Sequence, residues 1–526
     1  MWPFKPVWMN TNEEKALKAI VKIKDQRKLF EIVRKTPIVN VRIAATILLS
    51  DQEIIAEIAR TYDDLAVVMA AMEKLTSQTV IGDIAKSTDK DEVCLIALKN
   101  LTDQSIIADI AQHSQQSNKR FFALDYLTDK SVFVEIARND SDSEVREAAL
   151  KNLTDQSVIA DIAKNDNDKT VRMTAVGKLN IQSVLADIAK NDNDETVRMN
   201  AVVKLKDQSV IADIAKDDNN KTVRMTAVRK LNDQSVLADI AKNDNDETVR
   251  MEALKNLADQ SVLADVAKND CKNTVRNAAV DKLNDQSALA YIAKNDNDET
   301  VRKSAIEKLT DQTVLAEIAK NDSDIDLRIK AIGKLTDQST LLDLAKHESE
   351  EKVREAIVEK LTDQSELLNF AKNDNSNSVR AAAVGKLTNQ SVLKNFAEND
   401  KVDLVRVSAA KKLKDKDLAQ DIFMEVAYSE AKGLSRARAI AVGELTDMDE
   451  IEYFVKNDDD DFVRIAALKK ITDQSFLKDI IDNDSSFLVK WYALSNITSK
   501  SILKEIADNN NNHVLRDMAK NLLDKR

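Results

Sequence analysis

The chain contains very few of the residues that interrupt helices. Its 526 residues include only 6 glycines and 3 prolines, and 4% of them are aromatic. Glycine and proline are typical of turns and loops, so their scarcity disfavours a β-rich or disordered chain and predicts nearly continuous helix. So few aromatic residues do not suit one large globular core. They suit a stack of small helical units, in which each unit buries its apolar face against the next.

Cysteine and histidine are also scarce, which argues against most metal sites and most nucleophilic active sites. Cys94 and Cys271 are single and distant in sequence, which predicts a reducing, cytoplasmic environment. The three histidines, His113, His347 and His513, occupy unrelated positions, and no glycine-rich phosphate loop or nucleophile motif occurs. We therefore predict no catalytic residue, no metal site and no cofactor.

Long apolar runs are missing as well. No stretch approaches the roughly 20 apolar residues that cross a membrane, and the first ten residues, MWPFKPVWMN, lack the apolar core of a signal peptide. We expect this tryptophan-rich segment to cap the first repeat. A short interfacial or partner-binding anchor is the alternative. The net charge of -12 makes the protein acidic.

The chain consists largely of one short repeated unit. A clear copy spans residues 154–179 and reads TDQSVIADIAKNDNDKTVRMTAVGKL. Each half of it places four apolar residues on one face of a helix: Val158, Ile159, Ile162 and Ala163, then Val171, Ala175, Val176 and Leu179. The Asn-Asp run between them predicts a loop whose last residues cap the second helix. Each repeat is thus two helices of about ten residues, which must stack because neither is stable alone.

The Asp-Gln pair at the start of each repeat sets the register. Repeat starts recur from Asp25 to Asp415 at the constant interval that separates Asp25 from Asp51. After an insertion of six residues, further repeats start at Asp447, Asp473 and Ser499. This register predicts about 19 repeats. It divides the chain into four parts: an N-terminal cap with a half repeat (1–24), regular repeats (25–414), one repeat with the insertion (415–446), and C-terminal repeats with a cap (447–526).

The loop and the second helix resemble those of HEAT repeats. In residues 243–254, NDNDETVRMEAL, an Asp stands six residues before an Arg, and a Val precedes that Arg. The short unit is also similar to phycobilin-lyase-type HEAT-like repeats and to the leucine-rich-repeat variant, in which one helix of each pair is 3₁₀. The resemblance implies an all-α, right-handed α-α superhelix of the HEAT/armadillo-like solenoid type, with second helices on the concave side. Such folds are mostly binding scaffolds.

The recurring Asp and Arg predict a structural ladder. Arg172 lies at the edge of its apolar stripe, six residues after Asp166. Its planar guanidinium can hydrogen-bond the loop and the Asp of an adjacent repeat. In the middle of the chain the predicted ladder residues are Asp140, Arg146, Asp166, Arg172, Asp192, Arg198, Asp218, Arg224, Asp244 and Arg250. The first four repeats have given up most of this pattern.

Two sets of residues are candidates for contact with a partner. A methionine recurs at one exposed position of the second helix, as Met173, Met199, Met225 and Met251. Methionine side chains form adaptable contact surfaces. The repeat that begins at Asp103 instead concentrates an arginine and aromatic residues, the typical anchors of protein contacts: Arg120, Phe121, Phe122 and Tyr126. The alternative is that these side chains pack on a neighbouring repeat.

Two rows of lysines at fixed positions raise the question of nucleic acid. The first row is Lys178, Lys204, Lys230, Lys282, Lys308, Lys334, Lys360, Lys386 and Lys412. The second row is Lys164, Lys190, Lys216, Lys242, Lys268, Lys294, Lys320, Lys346 and Lys372. Because aspartates accompany the second row and the chain is acidic, we interpret both rows as a solvated, ion-paired face and expect no nucleic acid partner. The predicted function is a non-enzymatic scaffold or adaptor for a protein or peptide on the concave surface. The alternatives are a lyase or chaperone-like protein of the phycobilin-lyase type, and nucleic-acid binding.

Overall fold

The structure, a computed structural model, describes residues 8, 12–429 and 435–525, and in this part it contains 39 α-helices. One helix, α1 (Glu13–Ile20), precedes 19 helix pairs. The first helices of the pairs are α2 (Gln26–Lys35), α4 (Gln52–Thr61), α6 (Gln78–Ser87), α8 (Gln104–His113), α10 (Lys130–Asn139), α12 (Gln156–Asn165), α14 (Gln182–Asn191), α16 (Gln208–Asp217), α18 (Gln234–Asn243), α20 (Gln260–Asn269), α22 (Gln286–Asn295), α24 (Gln312–Asn321), α26 (Gln338–His347), α28 (Gln364–Asn373), α30 (Gln390–Asn399), α32 (Lys416–Ala427), α34 (Met448–Asn457), α36 (Gln474–Asn483) and α38 (Lys500–Asn509). The second helices are α3 (Val39–Leu48), α5 (Leu65–Lys74), α7 (Asp91–Asn100), α9 (Ser117–Leu124), α11 (Ser143–Lys151), α13 (Lys169–Lys178), α15 (Glu195–Lys204), α17 (Lys221–Val228), α19 (Glu247–Asn256), α21 (Asn273–Lys282), α23 (Glu299–Lys308), α25 (Ile325–Lys334), α27 (Glu351–Val358), α29 (Asn377–Val384), α31 (Asp403–Ala410), α33 (Ser435–Glu444), α35 (Asp461–Leu468), α37 (Phe487–Ser495) and α39 (His513–Asp524).

These pairs confirm the all-α repeat architecture and the number of repeats. The first helices are α-helical, so the pairs differ from those of the leucine-rich-repeat variant, in which one helix is 3₁₀. The resemblance to HEAT-like repeats is therefore confirmed as a resemblance of architecture. The boundaries at 24, 414 and 446 follow the sequence register and stay predictions.

Most of the helices begin at a side-chain cap, as α12 and α13 do, and bury one apolar face. Asp155 accepts hydrogen bonds from the backbone N–H groups of Ser157 and Val158 at the start of α12, and Asp168 caps α13 in the same way. Capping matters here because the first N–H groups of a helix have no partner within the helix. The predicted apolar stripes of both helices are buried, and Leu179 after α13 is fully buried.

The capping aspartates predict a loss of stability in acid. Hydrogen bonding from Thr248 holds the pKa of Asp246 down to about 2, against burial, which raises it, and Lys221 lowers this pKa as well. The corresponding pKa of Asp298, bonded by Thr300, is also about 2. A carboxyl group whose pKa is lowered by folding stabilises the folded state at pH values above its ordinary pKa. This stabilisation is lost as the pH falls through the lowered pKa of the folded state. We expect the urea midpoint to be constant above about pH 5 and to fall between about pH 4 and pH 2.

Circular dichroism during urea titrations at a series of pH values tests this expectation. The variant Asp246→Asn supplies the control, because its amide oxygen can still cap the helix but does not titrate. Its midpoint should fall slightly less in acid than that of the wild type. A wild-type midpoint that does not change down to about pH 2 would show that the caps contribute nothing through their charge.

Second helices pack against one another more closely than first helices do. Consecutive second helices such as α11, α13 and α15 form extensive contacts, whereas the first helices α12 and α14 barely meet. Residues Met1–Asp259 form one compact half and residues Gln260–Arg526 form another. Closer spacing places the second helices on the inner side within each half. In the C-terminal half, Arg436 on α33 comes within 3.7 Å of Glu355 on α27, three repeats earlier.

Two predicted special regions are only partly described. The N-terminal cap at residues 1–10 lies outside the described residues, apart from Trp8, which is buried. At the insertion, α32 spans 12 residues, whereas α30 in the preceding repeat spans 10. The insertion therefore extends a first helix by about half a turn. Residues 430–434 of the following loop lie outside the described part of the chain.

Candidate partner-binding face

The predicted arginines and aspartates form a ladder between repeats. Arg172 donates from Nε and Nη2 to the two carboxylate oxygens of Asp192 in the next repeat, at 2.8 and 2.9 Å. Its Nη1 donates to the backbone oxygen of Asp166 at 3.0 Å, and its Nη2 also reaches the Asn193 side chain. Both partners of the ion pair are more than nine-tenths buried. Each arginine therefore joins the loop of its own repeat to the loop of the next.

The same two-pronged ion pair recurs along the chain. It is formed by Arg120 with Asp140, Arg146 with Asp166, Arg172 with Asp192, Arg198 with Asp218, Arg224 with Asp244, Arg276 with Asp296, Arg302 with Asp322, Arg354 with Asp374 and Arg464 with Asp484. Arg250, the last predicted member, is buried and donates to the backbone oxygen of Asp244. The predicted ladder residues thus bind to protein groups of the stack.

The ladder changes where the sequence departs from the pattern. Glu348 replaces the Asp once, and Arg328 bonds to it only through Nη2, which leaves the buried Nε without a partner. At the insertion, Arg406 turns away and bonds Glu425 and a backbone oxygen. Farther toward the N-terminus, the buried Cys94 occupies an arginine position, and burial raises the pKa of its thiol to about 11.

A second ladder of glutamines was not predicted from the sequence. Gln156 donates through Nε2 to the backbone oxygen of Lys178, and its Oε1 accepts from the backbone N–H of Asn180. It therefore ties the start of a first helix to the connection into the next repeat, and it satisfies a carbonyl at a helix end. Equivalent bonds recur along the chain, for example at Gln52 and Gln390. The signal in the sequence was the Gln that follows the capping Asp.

The two lysine rows differ in their partners. Lys190 and Lys216 bind Asp213 and Asp239 of the following repeat, which confirms an ion-paired face for the second row. For the first row that interpretation is wrong. Lys230 donates to the backbone oxygens of the last turn of α15 and of the residue after it, and Lys178, Lys308, Lys334 and Lys360 make similar bonds. A cation suits this site because helix C-termini carry unpaired carbonyls.

One row of apolar side chains faces outward from the second helices of the N-terminal half. We call it the second-helix row. Its members occupy the same position of successive repeats and are Ile43, Met69, Leu95, Phe121, Met173, Met199, Met225 and Met251. Met69 is 44% exposed, Leu95 36% and Phe121 40%, and the other members are half-buried. Glu147 interrupts the row in one repeat. The methionines and Phe121, which the sequence analysis treated as separate candidates, therefore share one surface.

The other predicted contact residues of this region are placed differently. Arg120 is buried, and its three nitrogens donate to Asp140 and to groups of the neighbouring loops. The ladder thus uses the guanidinium of Arg120, and contact of Arg120 with a partner stays a prediction. Phe122 is half-buried, and its ring lies 6.2 Å from that of Phe121. Tyr126 follows the end of α9 and does not line the small cavity of about 280 Å³ beside these rings.

The described residues offer no alternative centre for metal chemistry. Within residues 8, 12–429 and 435–525, no three His, Cys, Asp or Glu side chains group in a way that could hold a metal ion. His113 and His347 are exposed and contact carboxylates of their own helices. None of the helices in the described part of the chain is long and apolar enough to span a membrane.

Comparisons with known proteins give distant similarities to solved structures. No protein-family model matches the chain, and no curated protein matches it in sequence. Among solved structures, it is similar to Kap121p, with 11% identity and a TM-score of 0.30 over 95% of this chain and 69% of that one. For yeast importin-beta (Kap95p) the identity is 11% and the TM-score 0.24, over 94% and 66%. For the S. pombe condensin Cnd3-Cnd2 subcomplex they are 15% and 0.24, over 97% and 82%. TM-scores this low support no conclusion about this protein, and the HEAT-like architecture is inferred from the helix pairs alone.

Proposed function

We propose that the protein is a non-enzymatic scaffold or adaptor, and that its N-terminal half binds a protein or peptide along the second-helix row. The observation that carries this proposal is the exposure of large apolar side chains at one position of successive repeats. Contiguous exposed apolar surface is uncommon on proteins that bind nothing. The methionines supply adaptable contacts, and Phe121 supplies an aromatic anchor.

The ladders support the same assignment, because they account for the conspicuous charged residues. The ladder arginines, the capping aspartates and most lysines of both rows bind protein groups within the stack, as Arg172, Asp168, Lys230 and Lys190 do. In the lysine rows, which suggested nucleic acid, Lys230 is held by carbonyl oxygens and Lys190 by a carboxylate oxygen. In the N-terminal half, Met69, Leu95 and Phe121 of the second-helix row remain exposed. No contact among the described residues favours the lyase alternative or nucleic-acid binding.

Replacing three neighbouring members of the row tests the proposal. The variant Met69→Ala/Leu95→Ala/Phe121→Ala should weaken partner binding at least about tenfold, or roughly 1.4 kcal/mol. Because all three side chains are partly exposed, helicity and thermal midpoint should change little. The partner is first identified by pull-down from the native lysate with mass spectrometry, and its dissociation constant is then measured for each variant.

The matched control is Tyr291→Ala on the first helix α22. Tyr291 is 53% exposed, so this change also removes an exposed aromatic side chain but leaves the second helices intact. It should bind the partner as the wild type does. Equal affinity of the triple variant and the wild type would place the binding site elsewhere, and equal losses in the triple variant and Tyr291→Ala would indicate nonspecific adhesion.

A further inference from the structure

A second candidate site lies in the C-terminal half, next to the insertion. A groove of about 650 Å³ opens on the second helices α31, α33 and α35. Its lining includes the apolar residues Ala439, Ile440, Ile465 and Ala466. Gly443 also lines the groove, and a Cβ added there would meet no atom within 4 Å. The volume suits one or two large side chains of a ligand.

The edge of this groove exposes apolar surface that continues into the next repeat. Phe462, which lines the groove, is 64% exposed, more than any other aromatic side chain among the described residues. Leu488 and Trp491 on α37 are each 43% exposed, one repeat beyond Phe462 and Ile465 in the register. Exposed aromatic residues beside an apolar pocket are typical centres of protein contacts.

The charge of the groove is opposite to that of the chain. Its lining contains three cations, Lys411, Arg436 and Lys469, and one carboxylate, Glu444. Glu444 is neutralised by Lys411 at 2.9 Å. Arg436 approaches Glu355 only to 3.7 Å and keeps two-thirds of its side chain exposed, and Lys469 is exposed. In a chain with a net charge of -12, this surface favours an anionic ligand.

We propose that this groove binds an acidic peptide segment that carries an apolar anchor. The anchor side chain packs on Ile440 and Ile465 beside Phe462, and flanking carboxylates pair with Arg436 and Lys469. The inference rests on the proposed function in one respect, since both make the second helices the binding side. It concerns a different half of the chain and names the chemistry of the partner.

Four labelled peptides of equal length test the ligand class by fluorescence anisotropy with the full chain. One has a central Phe-Leu pair flanked by Asp and Glu, the second has Lys and Arg flanks, the third has Ser flanks, and the fourth keeps the acidic flanks but has Ser-Ser at its centre. We expect the first to bind at least about tenfold more tightly than the other three, and less tightly at high salt because the ion pairs are screened. Equal or tighter binding of the basic peptide would overturn the proposal.

Two variants in the groove test the location. Phe462→Ala and Lys469→Glu should each weaken binding of the acidic Phe-Leu peptide at least about tenfold. The controls are Tyr291→Ala and Lys394→Glu, which change exposed residues on the first helices α22 and α30 of the same half. Circular dichroism verifies that each variant is folded. Unchanged affinity in both groove variants would overturn the proposal. Binding to anionic phosphatidylglycerol vesicles as tight as binding to the acidic Phe-Leu peptide would also overturn it, because it would indicate a surface that binds anions in general.

The two proposals fail separately. The variant Met69→Ala/Leu95→Ala/Phe121→Ala should leave binding of the acidic peptide unchanged, because those residues belong to the N-terminal half. If that variant loses the natural partner while no acidic peptide binds to the groove, only this further inference is wrong. If the acidic peptide binds as expected while the triple variant keeps its partner, the inference stands and the proposed role of the second-helix row is wrong.

Discussion

Arg224→Ala should lower the local free energy of unfolding by about 3 to 5 kcal/mol, because it leaves a buried carboxylate without its cation. The guanidinium of Arg224 pairs with both oxygens of Asp244, and their side chains are 7% and 4% exposed. The same change removes hydrogen bonds to the backbone oxygen of Asp218 and to the Asn245 side chain. Water does not reach these groups easily, so it replaces the lost bonds only in part.

Hydrogen exchange on the amides of α17, α18 and α19 measures this effect where it occurs. A local probe is needed because long repeat arrays do not unfold in a single two-state step. Lys216→Ala is the matched control. Its ion pair with Asp239 also joins adjacent repeats, but both side chains are about two-fifths exposed, so solvent screens the pair and its loss should change the exchange rates little. Equal exchange rates in the two variants would make Arg224 an ordinary surface residue.

Deletion of one whole repeat, residues 207–232, should leave a folded protein. In the intact protein, Arg198 bonds Asp218, which is 20 residues farther along the chain. After the deletion Asp244 stands at that same distance from Arg198, so the ladder closes again. The bonds of Gln182 to Lys204 and Lys206 lie within the preceding repeat and are kept. Helicity per residue should match that of the wild type, since the second helices around this deletion, α15, α17 and α19, pack mainly on those of adjacent repeats.

Deletion of half a repeat, residues 207–219, should disrupt the stack. It removes α16, so that two second helices, α15 and α17, follow each other directly. After this deletion, Leu231 stands as far from Arg198 in the sequence as Asp218 does in the intact chain. The ladder requires a carboxylate at that position. We expect a large loss of helicity by circular dichroism and rapid proteolysis near the junction, neither of which the whole-repeat deletion should show. Similar helicity and thermal midpoints for both deletions would contradict the repeat architecture.

The sequence by itself determined the repeat, its two helices and their boundaries, because these depend on local interactions. Asp155 caps α12 by accepting hydrogen bonds from the backbone N–H groups two and three residues later. The apolar stripe from Val158 to Ala163 lies within three turns of the same helix. Such short-range patterns can be recognised without knowing which repeats touch. The residue types of the arginine ladder could be predicted for the same reason, since one planar cation recurred beside one carboxylate.

Only the tertiary structure decided which partner each of these residues takes. Arg120 appeared isolated because its own loop lacks the Asp, yet the next repeat supplies Asp140. Lys230 looked like a solvated side chain, but the stacking of α17 on α15 brings it to the helix-end carbonyls. Phe121 joins the methionines in one row for the same reason. Partners in different repeats meet only because stacked helices hold successive repeats at a constant offset, and neither helix of a single repeat is long enough to contain both partners.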